Sequence, residues 1–132
     1  MKSKRDLVSG WLRKARSDLK NARMCVAAGE SLDTACFHAQ QAGERALKGY
    51  LSAHEIEFPF IHNLEKLVNV CAGDDASFMQ LLEAAQELTP YAVELRYDHE
   101  FWPTIETAGR AVEQAEKVLA FVRARLPEEM LP

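Results

Sequence analysis

The chain has 132 residues, of which 16 are Lys or Arg and 20 are Asp or Glu, giving a formal net charge of −4 with 48% apolar and 27% charged residues. That length suits one hydrophobic core, and the composition is that of a folded domain, so extended disorder is excluded. No run of about 18 apolar residues exists to span a bilayer, and the acidic balance speaks against general duplex binding, which rests on phosphate neutralisation.

Residues 1–7 are charged and lead into no apolar stretch, so they are expected to be a flexible basic N-terminus without a secretory leader. The charge is unevenly spread: residues 1–23 hold eight of the sixteen basic side chains against only Asp6 and Asp18. A basic first helix is able to meet RNA, a nucleotide or an acidic partner. The bland alternative, which is the favoured one, is a solvated helix face that pairs with acidic neighbours.

Residues 8–126 read as one helical domain. In the first helix Val8, Leu12, Ala15, Leu19, Ala22 and Val26 recur by fours and threes, and Gly29 stands where a C-terminal cap belongs. Ser31 or Asp33 caps a second helix that continues to about Ala53, rich in Ala and Gly on its buried side, which implies close approach of a neighbour. His54 to His62, with Pro59, reads as a loop. A short helix follows from Leu64 to Ala72, started by His62 or Asn63 and stopped by Gly73.

The next helix has Phe78, Leu81, Leu82, Ala85 and Leu88 as its core face, kinks or restarts at Pro90, and is expected to reach about Leu95. Tyr97 to Trp102 reads as a loop. Pro103 and Thr104 open the last helix, Pro127 ends it, and residues 127–132 are expected to be a loose tail. Helices with one apolar side and short connections predict an all-α, up-and-down bundle of four main helices plus one short helix.

Several chemistries are absent. No phosphate-loop or dinucleotide glycine motif occurs, and no strand pattern exists to carry one. His54-Glu55-Ile56-Glu57-Phe58 opens like a zinc motif but has Phe58 in place of the second histidine, so no metal and no cofactor are expected. Cys25, Cys36 and Cys71 are odd in number and widely spaced, which suits reduced thiols in a cytoplasm.

The second helix carries the candidate contact row. On a helical wheel His38, Gln41, Arg45 and Lys48 fall within about 80° of each other, opposite the apolar side, where they are able to reach phosphate, ribose or base edges. The bland alternative is a solvated face with Glu44 paired to Lys48 four residues on. Phe58, Phe60, Phe101 and Trp102 cluster in two loops and either mark a partner surface or close the bundle ends.

The run from Phe37 to Leu51 (FHAQQAGERALKGYL), followed by IHNLEKL at Ile61 to Leu67 and LTPYAVELRY at Leu88 to Tyr97, resembles the HEPN domain over nearly the whole chain. The resemblance implies a bundle of four or five helices, often a homodimer, that binds a nucleotide or RNA. It also implies pairing with a separately encoded minimal nucleotidyltransferase in a toxin–antitoxin-like couple. The family's Arg-Tyr pair corresponds to Arg96 and Tyr97, which suit a phosphate clamp and a base-stacking ring.

Active HEPN ribonucleases carry an arginine followed, after four to six residues, by a histidine. No arginine here has that spacing: Arg96 and His99 have two residues between them, and Lys48 and His54 have five but lack the arginine. A non-catalytic binding module is therefore expected. The alternatives are a metal-independent endoribonuclease using Arg96 and His99, and a purely structural dimeric scaffold.

Overall fold

A computed structural model describes residues 3–132, and the described residues are helix, turn and loop without a strand. Helix α1 spans Lys4–Ala28, α2 Leu32–Ala53, α3 Leu64–Asp74, α4 Leu82–Leu88 and α5 Ile105–Arg123, with 3-10 turns at Ala76–Leu81, Thr89–Tyr91 and Glu128–Met130.

The start of α1 corrects the expectation of a flexible segment up to residue 7. Ser3 accepts from the Asp6 N–H while Asp6 accepts from the Ser3 N–H, a reciprocal cap that starts the helix at Lys4; Met1 and Lys2 lie outside the described residues. Its apolar stripe buries Val8, Leu12, Ala15, Leu19 and Ala22, and the chain leaves it at Gly29, whose φ of 68° is a left-handed conformation natural to glycine.

Helix α2 is the central element, packed against α1, α3, α4 and α5. Leu47 and Leu51 are fully buried from it, each contributing roughly 1.5–3 kcal/mol. Its small residues do what their size predicts. A methyl group added at Gly49 would meet Leu12 Cδ2 at 3.2 Å and Trp11 Cβ at 3.3 Å, so the glycine sets the spacing between α1 and α2.

Helix α3 runs through Gly73 to Asp74, a little past the expected stop. The element after it is not one helix. It begins as a 3-10 turn, becomes α4 for two turns, and passes at Pro90 into another 3-10 turn and non-helical turns up to Tyr97, so the helix expected to reach Leu95 ends at Leu88. Pro90 has no N–H with which to continue the helical ladder.

Thr104 caps α5 through its hydroxyl, which accepts from the Thr107 N–H, and Ala108, Ala115, Val118 and Val122 are fully buried beneath it. The C-terminal tail, expected to be loose, instead turns back so that Met130 and Leu131 pack against the core beside α1. No helix is long and apolar enough to cross a membrane among the described residues.

Candidate functional site

The polar flank of α2 is where sequence and structure part most sharply. Gln41 and Lys48, expected to face outward, are 7% and 6% exposed, and Gln40 and Glu44 are buried with them. They lie in an internal network. Lys48 Nζ donates to Glu44 Oε2 at 2.9 Å, His62 Nδ1 lies 2.8 Å from Glu44 Oε1, and Gln40 Nε2 bridges Glu44 Oε1 at 3.2 Å and the His62 carbonyl at 2.9 Å. Gln41 Nε2 donates to Gln40 Oε1 at 2.7 Å and completes the chain of bonds.

A buried charge needs a partner, and each member of this network has one. The Lys48 ammonium also sits 5.8 Å from the Trp11 ring centre and 5.9 Å from that of Phe58. Burial alone would raise the Glu44 carboxyl. The hydrogen bonds from His62, Lys48 and Gln40 and the Lys48 charge outweigh it and hold the carboxyl below its ordinary value of 4.5. A carboxylate only accepts, so the His62 Nδ1 carries the proton of that bond. His62 thus ties the loop to α2, while Asn63, through Oδ1, caps α3.

The rest of the flank meets α1. Asp18, 5% exposed, receives Arg45 Nη1 at 2.6 Å on one oxygen and faces His38 Nδ1 at 3.0 Å on the other. His38 and Arg45 remain about a quarter and a third exposed at their side chains. Both side chains therefore border the surface, and Asp18 already engages each of them.

Beside them stands Phe37, whose ring lies edge-on to His38 with centroids 5.3 Å apart. The exposed Arg96 guanidinium covers Phe37 at 4.1 Å and lies 5.3 Å from the Tyr97 ring centre. Tyr97 is 72% exposed, and Arg96 has no carboxylate within ion-pair reach among the described residues. The result is a cation set over the Phe37 ring and beside the Tyr97 ring, with Nη1 3.5 Å from the Tyr97 hydroxyl, an arrangement suited to a phosphate or a base.

His99 contributes little to that platform. Its side chain is 92% exposed, and the nearest acidic group is Glu100 at 4.0 Å. No hydrogen bond orients its ring or joins it to Arg96 among the described residues.

The contact row proposed from spacing is thus divided. His38, Arg45, Arg96 and Tyr97 share one side through Phe37 and Asp18, whereas Gln41 and Lys48 are structural. Sequence reading passed over Asp18 and Phe37. The signal for Asp18 was its place three residues after Ala15 and four before Ala22, inside the buried arc of a helix otherwise basic. Phe37 gave no comparable sign, because its role depends on Arg96, which is 59 positions away along the chain.

Similar proteins share this architecture. The Thermus thermophilus protein TT1696 is 32% identical, with 90% of this chain and 98% of that one covered and a TM-score of 0.75. ST0689, an archaeal HEPN homologue, is 26% identical over 95% of this chain and 98% of its own, with a TM-score of 0.72. An HEPN domain protein of Thermotoga maritima, 22% identical with 88% and 96% covered and a TM-score of 0.73, shares the fold. No curated protein sequence matches the chain. The HEPN domain model matches residues 8–125, and with that extent of agreement the chain belongs to the HEPN family.

Proposed function

We propose that this HEPN-domain chain is a non-catalytic module that binds single-stranded RNA or a nucleotide on the Arg96 platform. The observation that carries the reading is the Arg96 guanidinium, stacked 4.1 Å over Phe37, beside the exposed Tyr97 ring and without an acidic partner among the described residues. Such a cation is already oriented for a phosphate oxygen, and an exposed ring next to it offers a stacking face for an unpaired base. His38 and Arg45 edge the same side and add polar contact.

Fluorescence anisotropy with a labelled single-stranded RNA tests it. Arg96→Ala and Tyr97→Ala are each expected to weaken binding on the order of tenfold, matching the ~1–3 kcal/mol of a base–aromatic contact. Arg96→Ala should also lower the salt slope by the contribution of about one phosphate. Unchanged affinity in both variants rejects the platform. The same RNA incubated with and without EDTA is expected to remain intact, since no hydrogen bond among the described residues orients the His99 imidazole for proton transfer.

The partner in this reading is a separately encoded minimal nucleotidyltransferase, with which the module forms a toxin–antitoxin-like pair in the cytoplasm. Membership in the HEPN family supports it, and co-purification with the product of the neighbouring gene is the direct test.

A further inference from the structure

A groove lies between the segment leading into α3 and the turns around Pro90, and none of Phe37, Arg96 and Tyr97 lines it. Its volume of about 370 Å³ falls within the ~300–1,000 Å³ usual for small-molecule sites. Ile61, Pro90, Ala92 and Val93 give it carbon walls.

Its polar groups differ in how far they are already engaged. Thr89 Oγ1 accepts from the Leu64 N–H at 3.1 Å and donates to the Ala85 carbonyl at 2.7 Å. Asn63 Oδ1 accepts from the Lys66 N–H at 3.1 Å, which leaves only the neutral amide Nδ2 without a partner among the described residues. His62 Nδ1 donates to Glu44 Oε1 at 2.8 Å, so Nε2 of the neutral ring is an acceptor, on a side chain 57% exposed. Glu94 is exposed and has no lysine or arginine within ion-pair reach among the described residues, and neither residue type lines the groove. What stands unmet is a carboxylate and an imidazole nitrogen, both acceptors, against one uncharged donor.

We propose that the groove binds a small amphipathic cation, an ammonium carried on a short arm by an aromatic body. The body covers the carbon walls, while the ammonium N–H groups meet Glu94 and His62 Nε2. A nucleotide or an organic acid finds no counter-charge and is repelled by Glu94. A purely apolar molecule takes water from Glu94 and His62 without replacing it, which costs free energy. Because Glu44 holds the His62 proton on Nδ1, the acceptor is in place before the ligand arrives. Glu94 also faces water, so its charge adds a several-fold preference to an affinity that comes mainly from the walls.

Titrating the isotope-labelled full chain with tryptamine, followed by two-dimensional NMR, tests the site without RNA. Shifts are expected at the amides of Ile61 to Asn63, Thr89 and Ala92 to Glu94, with a Kd on the order of 1 mM for so small a probe. Tryptophol and indole-3-propionate carry the same ring and arm with a hydroxyl or a carboxylate in place of the ammonium. The carboxylate should bind about three- to tenfold more weakly than tryptamine, with the alcohol between them. Glu94→Gln should weaken tryptamine about two- to fivefold and leave the alcohol as it was. Val93→Lys, which exchanges carbon wall for a like charge, should abolish the tryptamine shifts. Both positions are exposed, so neither variant disturbs the fold. Arg96→Ala, which tests the RNA reading, leaves tryptamine binding unchanged, so the two ideas fail separately. Equal binding of amine and carboxylate overturns the proposal, as do shifts confined to other residues or none at several times that concentration. Shifts of the same amides that grow with protein concentration and need no probe place another copy of the chain there and overturn it too.

Discussion

Glu44→Gln isolates the charge of the buried network. The substitution keeps the shape of the side chain and an oxygen to accept from Lys48, but leaves the ammonium without a counter-ion among Trp11 and Phe58. The Lys48 and Glu44 side chains are 8% and 5% exposed and meet at 2.9 Å. At that distance and an effective dielectric of about 20, the attraction lost is about 6 kcal/mol, part of which the retained hydrogen bond recovers. A loss of about 3–5 kcal/mol is expected, the usual cost of breaking a buried pair from one side. Against a total stability of about 5–15 kcal/mol, that is a large fraction. Urea unfolding at pH 7, followed by circular dichroism, measures it. Adding Lys48→Met removes the stranded charge and should restore all but about 1–2 kcal/mol. A single-variant loss below about 1 kcal/mol, or a double variant no better than the single, refutes the claim that this pair is desolvated.

Three further outcomes follow from the same structure. Because the Glu44 carboxyl is held below its unfolded value of 4.5, its contribution is complete above that value and is lost as pH falls through the depressed one; melting temperature should therefore drop in acid, and less steeply in Glu44→Gln. Gly49→Ala places a methyl 3.3 Å from Trp11 Cβ, an atom tied to the α1 backbone, so the helix gain is outweighed and unfolding experiments should show a net loss of about 1–3 kcal/mol. Burial pushes the Cys36 thiol up to about 11 and the Cys71 thiol up to about 12, so Ellman's reagent at pH 8 should titrate Cys25 first and the other two only after denaturation.

The helices were legible because each side of the code is local. A stripe such as Val8, Leu12, Ala15, Leu19 and Ala22 reports the buried face of one helix regardless of what covers it, and Gly29, Asn63 and Thr104 mark ends through their own backbone or side-chain chemistry. The segment after Leu88 escapes such reading for the complementary reason. Its ending depends on how Pro90 and the following turns meet α2, not on any periodicity in Tyr91 to Leu95. The tail escapes it similarly: Met130 and Leu131 are too few to form a pattern, yet enough to pack beneath α1 once the chain turns.

The candidate site was legible only at its exposed end. A wheel drawn for α2 sorts residues into apolar and polar halves and assigns the polar half to water, which holds for a helix with one neighbour. Helix α2 has four, and its polar half is covered as well. What makes that tolerable is pairing. Glu44 and Lys48 answer each other along the helix, a relation that spacing does reveal, but Asp18 and His62 arrive from elsewhere in the chain and leave no trace in α2 itself. Arg45 and His38 are consequently spoken for by Asp18, and of the candidate site's basic residues Arg96 is the one without an acidic partner among the described residues, set beside Tyr97 in the sequence and supported by Phe37 in the fold. A row of polar residues on a central helix is therefore a weak guide to a binding face. A stronger one is a cation with an aromatic ring behind it and no acid in front.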